Sequence, residues 1–289
     1  MKKVLIRRFC LICKFLCVPF LIKAQGNVFN YADSIRHAGN FTLATVEYER
    51  IAFENASPTI KAEATLKGAD CMKMLKRYDE AASLLDAVNM ENIPDPKLKY
   101  QILFQSLLNS YLAHEENSSF SKLASLCYYY PDSSHNKDVL FMKILCLNEM
   151  QQWKEADTIY RNFMTAFNHS AVPSNPYLKI PRLKDPEKAE KLSAYLPFTG
   201  AGLFYAGNVP EGLLSIALQA SFAAFGAYSI LMERYITGVL IGVGGYAAFY
   251  HGGTRRAKWL AEKYNEKKTI QFNTMIRNQL LAVINKGTP

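Results

Sequence analysis

Two runs decide the reading of this chain: GLLSIALQASFAAFGAYSILM over residues 212–232 and YITGVLIGVGGYAAFY over residues 235–250, parted only by Glu233-Arg234. The first has 21 positions, and Ser215, Gln219, Ser221 and Ser229 are its only polar residues. At ~1.5 Å per residue, a helix of that length matches the roughly 30 Å hydrocarbon core of a bilayer. The second has 16 positions and needs His251-Gly252-Gly253 or local thinning to cross. A transmembrane helical hairpin is therefore expected, turning near Glu233-Arg234. The other arrangement is a buried core hairpin, for which little remaining sequence is available as cover. Gly238 and Gly242 form a GxxxG pair, with Gly245 close to the same face. Small residues of this kind let membrane helices approach closely, within one hairpin or between copies in a homo-oligomer.

Upstream, Asp185-Pro186-Glu187 sets an N-cap, a proline at the first helical position and an early acid in the favoured order. Then follows Pro197-x-x-Gly200-x-Gly202-x-x-Tyr205-x-Gly207, with Gly212 five positions further on. A phosphate loop would need Lys-Ser/Thr after its glycines, and none is present. These glycines suit a tight turn at a bilayer surface instead. Downstream, Arg255, Arg256 and Lys258 lead a basic stretch that includes Trp259 and Tyr264. It reads as an amphipathic helix lying on lipid headgroups, or as a solvated helix paired with Glu262 and Glu266.

Residues 192–265 resemble the small membrane modules known as TM2-like domains and related domains that open with Pro-Gly-x-Gly-x-x-Tyr-x-Gly. Here Phe198-Thr199 separates Pro197 from Gly200, and Ala261-Glu262-Lys263-Tyr264-Asn265 closes the similarity. The resemblance implies a membrane topology and no particular chemistry.

Charge is segregated along the chain. The formal net charge is +9, but residues 1–24 carry six Lys/Arg and no acid. Residues 25–181 hold 15 basic and 18 acidic side chains, and residues 182–289 hold 13 and 7. The basic excess thus borders the apolar runs, which favours anionic lipid over nucleic acid. Lys2, Lys3, Arg7 and Arg8 ahead of an apolar stretch, with Ala24 before Gln25, give residues 1–24 the form of an export signal. A retained anchor is the alternative. Cys13 and Cys17 lack the context of a lipoprotein signal.

Between leader and hairpin a pattern recurs. Phe41, Tyr78, Phe120 and Trp153 each lead apolar residues at +3, +7 and +10, one face of a helix. Ala44 and Tyr48, Ala81 and Leu85, and Ala156 and Tyr160 occupy the +3 and +7 positions. In the third copy Leu123 replaces the small residue. Residues 28–38, 61–75, 97–113 and 136–149 supply a preceding helix for each. The spacings of 37, 42 and 33 residues resemble the tetratricopeptide repeat. That resemblance implies stacked helix pairs with a concave face for a protein or peptide partner; a plain spacer is the alternative. Pro173, Pro176, Pro181 and Pro186 make residues 171–186 a semi-rigid linker.

No catalytic, cofactor-binding or metal-binding set emerges: the five histidines are scattered, and no nucleophile elbow or paired metal-ligand spacing occurs. The expectation is all-α: a leader (1–24), a tetratricopeptide-like helical-repeat solenoid (25–170), a linker (171–186), a transmembrane hairpin module (187–253) and a basic amphipathic C-terminal helix and tail (254–289). The matching role is a non-enzymatic adaptor in a bacterial inner membrane, with its repeats in the periplasm. A membrane assembly or transport component built on an oligomerising hairpin is the other role.

Overall fold

The computed structural model describes residues 28–167, 175–196 and 200–286. The expected leader, Pro197 and residues 171–174 of the proline-rich stretch lie outside the described residues. Among the described residues there is no strand, and the chain is all-α. The helices are α1 (Asn30–His37), α2 (Phe41–Glu54), α3 (Pro58–Met74), α4 (Tyr78–Asp86), α5 (Pro96–Leu112), α6 (Glu116–Tyr129), α7 (Lys137–Glu149), α8 (Trp153–Phe167), α9 (Pro186–Tyr195), α10 (Ala201–Ala206), α11 (Val209–Leu231), α12 (Tyr235–Thr237) and α13 (Gly244–Lys286). A π-helical turn, Gly238–Val243, joins α12 to α13. The chain divides into two compact units after Lys122.

One corner recurs throughout. Helices α2, α4, α6 and α8 begin at residues 41, 78, 116 and 153, spacings of 37, 38 and 37. Two residues before each start stands a left-handed residue: Gly39, Lys76, His114 and Gln151, with φ of 81°, 62°, 61° and 56°. The next amide donates to the carbonyl five residues back, as Asn40 does to Ile35 and Gln152 to Leu147. This is the 6→1 bond of a Schellman cap, which satisfies carbonyls that the helix end would otherwise orphan. The same corner precedes α11, at Gly207, and α12, at Glu233.

Helix α6 starts one turn earlier than its sequence pattern suggests. Phe120 does not lead α6; it lies in the second turn, half-buried, and Glu116 opens the helix. The small residue at +3 is then Ser119, 1% exposed, and Leu123 and Leu126 fall at +7 and +10, both buried. A glutamate in the leading position hid the pattern. Phe41, Tyr78 and Trp153 do open α2, α4 and α8.

In the first unit, Ala44, Tyr48 and Ile51 of α2 pack with Ala64 and Cys71 of α3. The other face of α3, Ala62, Ala69 and Met72, packs with Ala81 and Leu85 of α4 and Ile102 of α5. Alanines at 0–1% exposure where these helices meet let the backbones come close. Polar bridges tie α1 to α2 and α3. Tyr48 Oη donates to Asp33 Oδ1 at 2.5 Å, and Lys67 Nζ reaches the same carboxylate at 3.0 Å. Burial works to raise the pKa of Asp33, but the bonds from Tyr48 and Lys67 outweigh it and hold the carboxyl below its ordinary range.

In the second unit, α13 reaches back to the helix pair α7–α8. Its buried Phe272 lies edge-on to Trp153 and Tyr177, with centroids 5.6 Å away in both cases. Ile276, Leu280 and Val283 continue the same buried face. Each such side chain contributes about 1.5–3 kcal/mol through burial. Tyr160 Oη donates to Gln279 Oε1 at 2.8 Å, and Asn273 Nδ2 to Glu149 Oε2 at 3.1 Å. The proline-rich stretch is not free chain where it is described. Tyr177 is 5% exposed and donates to Asn148 Oδ1 at 2.9 Å. The Asn265 side chain clasps both the N–H and the C=O of Lys184, each at 2.7 Å. Four prolines indicated only that no helix interior could form here. They did not disclose Tyr177 as an anchor.

Candidate membrane interface

Helix α11 is inside out by the standard of a soluble core. Its buried residues are Gly212, Gln219, Gly226 and Ser229. Leu213 and Leu214 are each 58% exposed, and Leu231 is 80% exposed. The chain that returns from α12 repeats the inversion, with Gly238 and Gly242 buried and Leu240 70% exposed. Water-soluble helices bury the opposite set. The exposed apolar side chains cover both legs, and a contiguous surface of this kind marks an interaction with lipid or protein. Among the described residues α11 is the one helix long and apolar enough to cross a membrane. The expected second span does not meet that measure. Its apolar run stops at Tyr250, and the same helix continues into charged sequence.

The legs meet through glycine. A Cβ on Gly242 would stand 2.3 Å from the Cα of Gly226, and one on Gly238 would stand 3.1 Å from the carbonyl oxygen of Gly226. A Cβ on Gly245 would stand 2.3 Å from the Phe222 ring. The contacts pair 230 with 238, 226 with 242 and 222 with 245, a counter-running order that makes the legs antiparallel. Gly238 and Gly242, the GxxxG pair, are thus occupied within the chain. Buried Gln219 donates to Ser215 Oγ at 2.9 Å, so its amide has a partner on its own helix.

At the base, the Gly200–Gly212 segment is a packing knot. Gly200 is left-handed, φ 58°, and a Cβ there would meet the Gly212 carbonyl oxygen at 2.7 Å. A Cβ on Gly202 would fall 2.0 Å from the Ala189 carbonyl oxygen of α9, and one on Gly212 would fall 2.3 Å from the Phe204 ring. Leu203 and Ala206 of α10 are buried with Ala189, Ala257 and Ala261. Half-buried Tyr205 accepts the Asp185 N–H at 3.0 Å. Asp185 itself caps α9, accepting from Glu187 N and Lys188 N, in the order its sequence implied. Gly207 is the left-handed corner before α11, and Asn208 caps that helix.

The basic residues expected at headgroups divide here. Arg256 makes a bidentate pair with Glu211, Nε at 2.7 Å and Nη2 at 2.8 Å. Lys258 pairs with Glu190 at 3.3 Å, and that bond raises its pKa. Arg255 is exposed and has no ion-pair partner among the described residues. Trp259 lies between two cations, 4.3 Å from the Arg256 guanidinium and 4.7 Å from Lys263 Nζ. Lys184 Nζ sits 4.0 Å from the Tyr264 ring, where burial lowers its pKa. None of this was legible as pairing, because Glu211 and Arg256 are 45 residues apart.

Between α11 and α13, just inside the Glu211–Arg256 pair, lies a cavity of about 420 Å³. Leu203, Leu214, Leu218, Ala248 and Phe249 form its apolar walls, and Gly252 and Gly253 keep it open. The elements at this site present apolar surface on both legs and hold two ion pairs, Glu211–Arg256 and Glu190–Lys258. Among the described residues no group of three His, Cys, Asp or Glu side chains is placed to hold a metal ion. No family model, no curated protein and no solved structure matches the chain.

Proposed function

We propose that the chain is a membrane-anchored adaptor. In this reading α11 and the returning leg sit in the bilayer, with Leu214, Leu231 and Leu240 against lipid. The helix pairs ahead of them, which follow a tetratricopeptide-like spacing, recruit a protein or peptide partner. The leader exports those pairs, and the hairpin holds them at the inner membrane on the periplasmic side. The observation that carries the reading is the inverted polarity of both legs: glycine, glutamine and serine inside, leucine, isoleucine and phenylalanine outside. The apolar interior of a bilayer stabilises that arrangement. Recruitment is supported by α2, which leaves Leu43, Val46 and Phe53 at 42%, 54% and 88% exposure.

Single cysteines at Leu214, Leu231 and Leu240 test the anchor. In intact membranes each is expected to resist a water-soluble maleimide until detergent is added, because thiolate does not form in hydrocarbon, while a cysteine at Tyr31 reacts at once. Equal labelling of Leu240→Cys and Tyr31→Cys by the water-soluble reagent refutes the anchor. A photocrosslinker at Phe53 tests recruitment. A discrete protein adduct supports the adaptor, and self-adducts alone point to a spacer.

A further inference from the structure

We infer that the cavity between α11 and α13 is a binding site for one anionic phospholipid, with an acyl chain in the groove and the phosphodiester at Arg256. The inference rests on the membrane reading above. Its volume of about 420 Å³ falls in the range of ligand pockets, which for apolar ligands are lined mainly by hydrophobic side chains. Leu214 lines the groove and is 58% exposed, so an acyl chain can enter sideways from the leaflet past it.

The polar end selects the head. Arg256 turns Nε and Nη2 to Glu211, which leaves Nη1 for a further acceptor. Arg255 stands beside it, exposed and without an ion pair among the described residues. Arg256 and Glu211 line the slot as a balanced pair, and Arg255, one position earlier on α13, adds an uncompensated positive charge close to it. Guanidinium binds phosphate oxygens more firmly than a lysine would. The glycines explain the opening. A Cβ on Gly252 would meet nothing within 4 Å, in contrast to the glycines of the leg contact. Packing therefore does not require glycine at 252, which lines the slot.

The test uses the full chain reconstituted in vesicles of equal parts phosphatidylcholine and phosphatidylglycerol. After flotation, the protein is extracted in mild detergent and its retained lipid is measured by native mass spectrometry. Wild type is expected to retain one phosphatidylglycerol in preference to phosphatidylcholine. Gly252→Leu should float equally well and retain about tenfold less lipid, a loss of about 1.4 kcal/mol in affinity. Ala248→Phe, which fills the groove from the other side, should do the same. Arg255→Gln should weaken the preference for phosphatidylglycerol while retaining the acyl chain. Undiminished lipid on both filled variants overturns the site. Equal retention of the two lipids by wild type overturns its anionic choice. Wild type that floats but carries no lipid refutes this inference alone, whereas wild type that fails to float refutes the membrane reading as well.

Discussion

Replacing Gly242 and Gly252 by alanine in parallel should move stability in opposite directions. Both residues lie on the returning leg, so alanine brings each the same gain in helix propensity, about 1 kcal/mol. At Gly252 nothing lies within 4 Å of the new methyl, and that gain stands by itself. At Gly242 the methyl would lie 2.3 Å from the Gly226 Cα and 2.9 Å from its nitrogen. Ordinary carbon contacts need about 3.5–4 Å, and the obstruction is backbone, which no rotamer change can relieve. The legs must part by more than about 1 Å, and overpacking of this kind costs about 1–3 kcal/mol. Subtracting the two variants cancels the propensity gain and leaves the clash, so Gly242→Ala should be about 1–3 kcal/mol less stable than Gly252→Ala. Equilibrium denaturation in mild detergent, followed by helical circular dichroism, measures that difference. Equal stability of the two variants would refute the glycine contact between the legs.

The left-handed corners predict a second pair. Gln151→Gly should raise the melting temperature, by about 0.5–1 kcal/mol of added stability, since Gln151 holds φ 56° with a side chain. Gly39→Ala should lower it by about 1 kcal/mol, although its Cβ has open space, because φ is 81°. Tyr48→Phe should cost about 1–2 kcal/mol near neutral pH by removing a bond to a charged acceptor. Asp33 is depressed in the folded state, so this contribution is complete above about pH 4 and fades as acid protonates the carboxylate. The two proteins' urea midpoints should therefore converge in acid. Burial pushes Tyr160 up to about 12 and raises Tyr177 as well. A raised phenol stabilises the fold fully below its unfolded value near 10 and loses that contribution as pH climbs past it. The fluorescence of Trp153 should report release of α13 in that alkaline window. Of the three described cysteines, half-buried Cys127 should alkylate first. Cys71 is fully buried, and burial lifts its thiol to about 11.

Local signals in the sequence were the legible ones. The aromatic at the head of α2, α4 and α8, the Asp185-Pro186 cap and the apolar length of α11 all act within a few residues, where period and capping chemistry are explicit. The register of α6 was lost because Glu116 stands where its counterparts are aromatic. The corners were lost because four of the six corner residues, Lys76, His114, Gln151 and Glu233, are not glycine. Their conformation is imposed by the helices they join. The glycines of 200–212 were legible as turn and packing residues, but not their partners, since Phe204 and Ala189 become their neighbours only in three dimensions. The contact of Phe272 with Trp153 spans more than a hundred residues, and no periodicity announces a partner at that distance.

Helix α13 runs 43 residues without interruption. That is a rod about 65 Å long, with the returning leg of the hairpin feeding one end and the α7–α8 pair fixed near the other. Spanning helices change tilt to match bilayer thickness. With the hairpin in the bilayer as proposed above, a change of about 10° at that end would carry the far end of such a rod through about 11 Å. Phe272 and Ile276 would take Trp153 with them. The thickness of the lipid sheet would then be read out as a displacement of the last helix pair, with the bilayer as the hand on a lever.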